Sequence, residues 1–221
     1  MEIKINIGMR LNEFTDPAQS GPFNIKRMRG GDDLDWIVKT LMTRSPATVK
    51  MFINNQPLYR GIRIKHDAFD YGEFRSLEKR EPTSSSAGLQ INIDTCLEIE
   101  EFQALRSNSA FCTGSLDLAT EFGSPFLMFP FDPFTYTWST SFVDLYNDIR
   151  AADEKQLDLH LEANVRQAAK WFVDTFGFRS DNFKLAVSSG HEILVKGQYA
   201  LVNLDRKWDL LEALQNYRPG K

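Results

Sequence analysis

Three stretches of the chain carry residue types able to hold an anion or steady a developing charge. Pro57-Leu58-Tyr59-Arg60-Gly61-Ile62 runs an apolar segment into an arginine and follows it with a glycine. A guanidinium at the end of a strand is costly to bury unless an anion meets it. Its planar fork fits a phosphate or a carboxylate. The glycine lets another group come close to the backbone. By itself this segment reads equally well as a structural ion pair or as a ligand site. Phe111-Cys112-Thr113-Gly114-Ser115 supplies two hydroxyls and leads on to Asp117, Ala119, Phe122 and Gly123. Gly190-His191-Glu192-Ile193-Leu194-Val195-Lys196-Gly197-Gln198-Tyr199 places a carboxylate at the mouth of an apolar segment.

The surrounding elements have to position these groups. Ile3, Ile5 and Ile7 alternate with polar residues as in a half-buried strand. Residues 8–31 read as an irregular arm. Asp32 or Asp33 can cap a helix with Leu34, Ile37, Val38 and Leu41 inward, which Pro46 stops. Val49, Met51 and Ile53 lead through an Asn54-Asn55 turn to the Arg60 strand. Residues 65–90 read as a charged, serine-rich surface loop, or alternatively as a substrate-contacting loop. A helix is expected over 92–105, a short strand over 110–113, and a helix capped by Ser115 or Asp117 and closed by Gly123. Residues 126–138 read as two strand pieces joined by a bent loop, followed by a short helix over 144–150. Helical spacing from Leu157 to Phe176 ends at Gly177. Phe183, Leu185 and Val187 alternate as a strand, and a strand–turn–strand comes next over 192–204. The last helix carries Trp208, Leu211 and Leu214. Such a mixture of elements implies an α+β fold, with residues 1–45 as an N-terminal arm and helix and 46–221 as the main domain.

Composition narrows the functional classes. With 26 Lys+Arg against 30 Asp+Glu, nothing pulls the whole chain toward nucleic acid or an anionic membrane. No apolar run is long enough to span a bilayer, and no apolar signal core opens the chain. Cys96 and Cys112 are too few for a disulfide scaffold, so the chain reads as cytoplasmic with two thiols. His66, His160 and His191 are scattered, without metal-ligand spacing.

In order and spacing the three stretches resemble the mono-ADP-ribosyltransferase family, and phage-encoded arginine transferases in particular. Those open their core with a Pro-Leu-aromatic-Arg-Gly strand, here 57–61. They continue with a hydroxyl motif and a helix ending Ala-x-x-Phe-small, here Thr113, Ser115 and 119–123. They finish with a Glu-led strand, a glycine turn and another strand, here 192–204. The resemblance covers residues 57–204. It implies a core of two packed, mostly antiparallel small sheets with flanking helices, NAD as substrate and no metal. Glu192 would stabilise the oxocarbenium-like ribose. Thr113 or Ser115 would orient that carboxylate, with Ser139 of Ser139-Thr140-Ser141 ranked behind them. Arg60, with Tyr59 and Gly61 beside it, would clamp NAD. Phe129, Phe131, Phe134 and Tyr136 are candidates for stacking on nicotinamide, core packing being the commoner role for any one of them.

Arginine-modifying members carry a second glutamate where this chain has Gly190, so NAD cleavage fits better than arginine as acceptor. The expected partners are NAD and a protein or nucleic-acid target, with no membrane, as for a phage or bacterial effector. Three alternatives stand beside this reading. They are an NAD glycohydrolase, a non-catalytic binding or inhibitor module, and a Cys/His hydrolase using Cys112.

Overall fold

A computed structural model describes residues 24–27, 31–64, 69–79, 87–144, 148, 155–158, 160 and 163–218. The expected strand at 3–7 and most of the expected helix at 144–150 lie outside these residues. Among the described residues the fold is mixed α+β, built on a sheet of nine strands in the order β1-β3-β9-β5-β2-β4-β8-β6-β7. The strands are β1 (Asn24–Lys26), β2 (Tyr59–Ile62), β3 (Tyr71–Arg75), β4 (Ala110–Thr113), β5 (Ser124–Pro130), β6 (Thr135–Ser139), β7 (Phe178–Arg179), β8 (Glu192–Lys196) and β9 (Gln198–Asn203). Each neighbouring pair runs antiparallel. The resemblance implies two small packed sheets; the hydrogen bonding instead joins the nine described strands in one sheet.

Alternation along the strands divides the core between the two faces. One face carries Tyr59, Tyr71, Leu127, Phe129, Ala200 and Val202. Against it pack α1 (Gly31–Arg44), α2 (Pro46–Ile53) and, through Leu210 and Leu214, the C-terminal helix Lys207–Asn216. The other face carries Leu58, Ile62, Cys112, Trp138, Ile193, Val195 and Tyr199. A third cluster joins α3 (Ala87–Ile99), through Ile93 and Leu97, to the helix Val165–Phe176, through Ala169 and Phe172.

Several elements differ from the sequence expectation for local reasons. Pro46 ends one helix but starts the next, because the first helical position needs no backbone N–H. Residues 183–189 form a helix, not a strand. Asn182 accepts the Leu185 N–H, and Ala186 and Val187 turn inward. The 65–90 stretch contains β3, which pairs with both β1 and β9, and α3 already begins at Ala87 and ends at Ile99. In the last helix Leu210 and Leu214 are buried while Trp208 is 71% exposed, so the inward stripe is turned from the one expected. β1 lies inside the expected irregular arm.

Candidate functional site

The strands bearing the three sequence stretches are neighbours: β2 pairs with β4, and β4 with β8. Their register aligns Tyr59 with Thr113 and Thr113 with Glu192, one row across three strands. A turn shapes the chain on either side of this row. After β4, Ser115 caps α4 (Leu116–Glu121), its Oγ accepting the Leu118 N–H at 3.2 Å. Before β8, Gly190 at φ 74° closes the 183–189 helix in a left-handed conformation and turns the chain into the strand.

Thr113 ties the two turns together. Its Oγ1 donates to the Gly190 carbonyl at 2.6 Å and accepts the Ser115 N–H at 3.0 Å. Thr113 thus stands opposite Glu192, while the Ser115 hydroxyl works as a helix cap. Ser139 Oγ donates to the Phe176 carbonyl and accepts the N–H groups of Ser141 and Phe142, which marks a turn.

Arg60 is 2% exposed. Alternation turns it to the side of Leu58, Ile62 and Tyr199, where its Nη1 donates to the Phe111 carbonyl and its guanidinium lies 5.9 Å from the Tyr199 ring. Gly61 allows a close approach, and the approaching group is the protein's own helix α4: a Cβ there would sit 1.9 Å from the Ala119 carbonyl oxygen. Phe129 is a core residue, packed edge-on against Phe52, and Phe131 is buried too. Phe134 and Tyr136 pack against Phe183 on the other face. Tyr136 pairs with Val195, three residues along β8 from Glu192. The structure therefore groups Thr113 and Glu192, and places these aromatic residues elsewhere.

The cation facing Glu192 is one the sequence reading did not single out. Arg106 Nη1 donates to Glu192 Oε1 at 3.2 Å, with the two side chains only 4% and 6% exposed. A hydrogen-bonded turn presents it. The Asp94 carboxylate accepts the N–H groups of Arg106 and Ser107, and Asn108 Oδ1 accepts that of Leu105. The guanidinium also lies 4.9 Å from the Phe111 ring. A signal was present in the sequence: Arg106-Ser107-Asn108-Ser109 is a polar turn entering the Thr113 strand. Its partner, however, is 86 residues away.

Cys112 feels both the Arg60 and the Glu192 charges, but burial dominates and pushes its thiol up. That is the reverse of the shift a thiolate nucleophile needs. His191 lies beside Glu192, its Nδ1 2.9 Å from the Ser139 carbonyl. A carbonyl only accepts, so Nδ1 carries the proton in this contact. Among the described residues, no three His, Cys, Asp or Glu are grouped to hold a metal ion, and no helix is long and apolar enough to cross a membrane.

An open cavity of about 370 Å³ lies at the Lys196–Gly197 end of β8, lined by Arg44, Arg75, Phe131, Lys196 and Gln198 among others. Its lining residue Lys196 is four positions along β8 from Glu192, roughly 13 Å, and the cavity belongs to a different part of the sheet. No family model, no curated protein and no solved structure matches the chain.

Proposed function

We propose that the protein is an NAD-dependent mono-ADP-ribosyltransferase of the Arg–Ser/Thr–Glu type, acting on a protein or nucleic-acid target. The observation that carries this reading is the row across β2, β4 and β8, in which Thr113 stands opposite Glu192 and the buried Arg106 meets that carboxylate. A fixed carboxylate next to the ribose C1′ stabilises positive charge as the bond to nicotinamide breaks. Thr113 holds the Gly190 turn from which that carboxylate is presented. Arg60, flanked by Tyr59 and Gly61, bears on NAD binding. Gly190 has no carboxylate to offer a guanidinium, so small guanidino acceptors such as agmatine are poor substrates in this reading.

Nicotinamide release from NAD by the purified chain is the direct test; a chain that releases none is not such an enzyme. Arg60→Lys keeps the charge and loses the bidentate fork, so it is expected to weaken NAD binding by calorimetry. Equal affinity of the two proteins would make Arg60 a brace between β2 and β4.

A further inference from the structure

Stability alone does not account for the Arg106–Glu192 pair. Removing two charges from water costs more than their attraction commonly returns. Arg106 adds to that cost, because its buried Nε has no hydrogen-bond partner among the described residues. Even so, the turn carrying Arg106 is pinned by three backbone N–H bonds, two to the Asp94 carboxylate and one to Asn108. A costly charged pair on a rigid mount is the arrangement expected where a carboxylate has to stay ionised and fixed in direction.

We infer that Arg106 is a positioning residue for Glu192, holding Oε1 so that the carboxylate meets the scissile ribose of NAD in one orientation. This rests on the transferase reading above. Arg106 acts through Glu192 and takes no part in the bond changes. Among the groups around the carboxylate are Arg106 from the 103–109 turn, Thr113 and the Cys112 thiol from β4, and His191 next to it in sequence. Asp94 of α3 sits behind Arg106.

The test is nicotinamide release from NAD by the full chain and by Arg106→Gln and Arg106→Lys, with kcat and KM measured across pH and folding checked by circular dichroism. Arg106→Gln is expected to lower kcat about tenfold or more, since small misplacements of a reacting group cost that much, with little change in KM. Without its cation the carboxylate protonates more readily, so the acid side of the kcat profile moves to higher pH. Arg106→Lys restores the charge without the fork and should recover part of kcat and most of the pH profile. If Arg106→Gln does not fold, the Lys variant decides: a reduced kcat at unchanged KM supports the inference, and wild-type kcat overturns it. A folded Arg106→Gln with wild-type kcat and pH profile also overturns it. A wild-type chain inactive on NAD overturns the transferase reading, and this inference falls with it.

Discussion

Two arginine–glutamate pairs lie in opposite halves of the sheet, and their surroundings differ. Glu73 of β3 is buried, and both its oxygens are engaged: Tyr71 donates to Oε1 at 2.8 Å and Arg44 to Oε2 at 3.0 Å. Arg44 also donates to Gln198 at 2.7 Å, stacks 3.7 Å from the Phe131 ring, and keeps 36% of its side chain in solvent. Glu192 faces an arginine that is 4% exposed, with a donor nitrogen unsatisfied among the described residues. The first pair keeps its cation partly hydrated and satisfies it with neighbouring groups. The second is drier, and its cation keeps a buried nitrogen unsatisfied among the described residues. Burying ions raises the energy of a fold unless hydrogen bonds compensate. The Arg44–Glu73 pair therefore reads as a clasp joining α1 to β3, and the Arg106–Glu192 pair is the one on which the proposed function draws.

The largest effect should come from breaking the second pair at its carboxylate. Glu192→Gln keeps the side chain's shape and removes its charge. Nicotinamide release is expected to fall on the order of a hundredfold or more. Release at the wild-type rate would erase the distinction between the pairs and the proposed function together.

The matching change in the clasp should act on stability instead. Glu73→Gln leaves Arg44 without its counter-ion and weakens the Tyr71 contact, at about 1–3 kcal/mol of folding free energy. Urea unfolding would read this as a lower midpoint, while turnover of NAD stays within about twofold of wild type, the range expected for an interaction not made in the transition state. A large loss of turnover with an unchanged midpoint would reverse the roles of the two pairs.

The sequence reveals these pairs unequally, because their partners are far apart. The hydroxyl motif, the glutamate-led strand and the hairpin at Gly197 are all local patterns, and each forms near its expected place. β3 is concealed because Tyr71-Gly72-Glu73-Phe74-Arg75 looks polar, and the ion pair that lets Glu73 sit in the core comes from Arg44, 29 positions earlier. Arg106 is concealed the same way, being joined to Glu192 across the whole middle of the chain. The helix at 183–189 escapes a period-2 reading because its cap decides it. Asn182 adopts a left-handed backbone and accepts the Leu185 N–H, which leaves Leu185 45% exposed. Gly61 signals a close approach, but nothing local indicates that the approaching group is the carbonyl of Ala119.

The smallest effect concerns the phenol that completes the clasp. Tyr71 is fully buried, and burial, reinforced by the Glu73 charge and hydrogen bond, holds its hydroxyl far above the usual tyrosine range. The unfolded chain would ionise Tyr71 near pH ~10, whereas the folded chain keeps it protonated. Stability from this group is therefore complete below about pH 10 and declines as pH rises beyond it. Tyr71→Phe removes one hydrogen bond, about 1 kcal/mol at neutral pH, and with it this alkaline dependence. In urea unfolding at pH 7 and pH 11, the gap between wild type and variant should narrow at the higher pH. Tyr59 and Tyr136 are also shifted upward by burial, so the variant keeps some alkaline slope of its own. A gap of equal size at both pH values would mean that Tyr71 ionises as readily in the fold as in water, and the clasp would then be wetter than its geometry indicates.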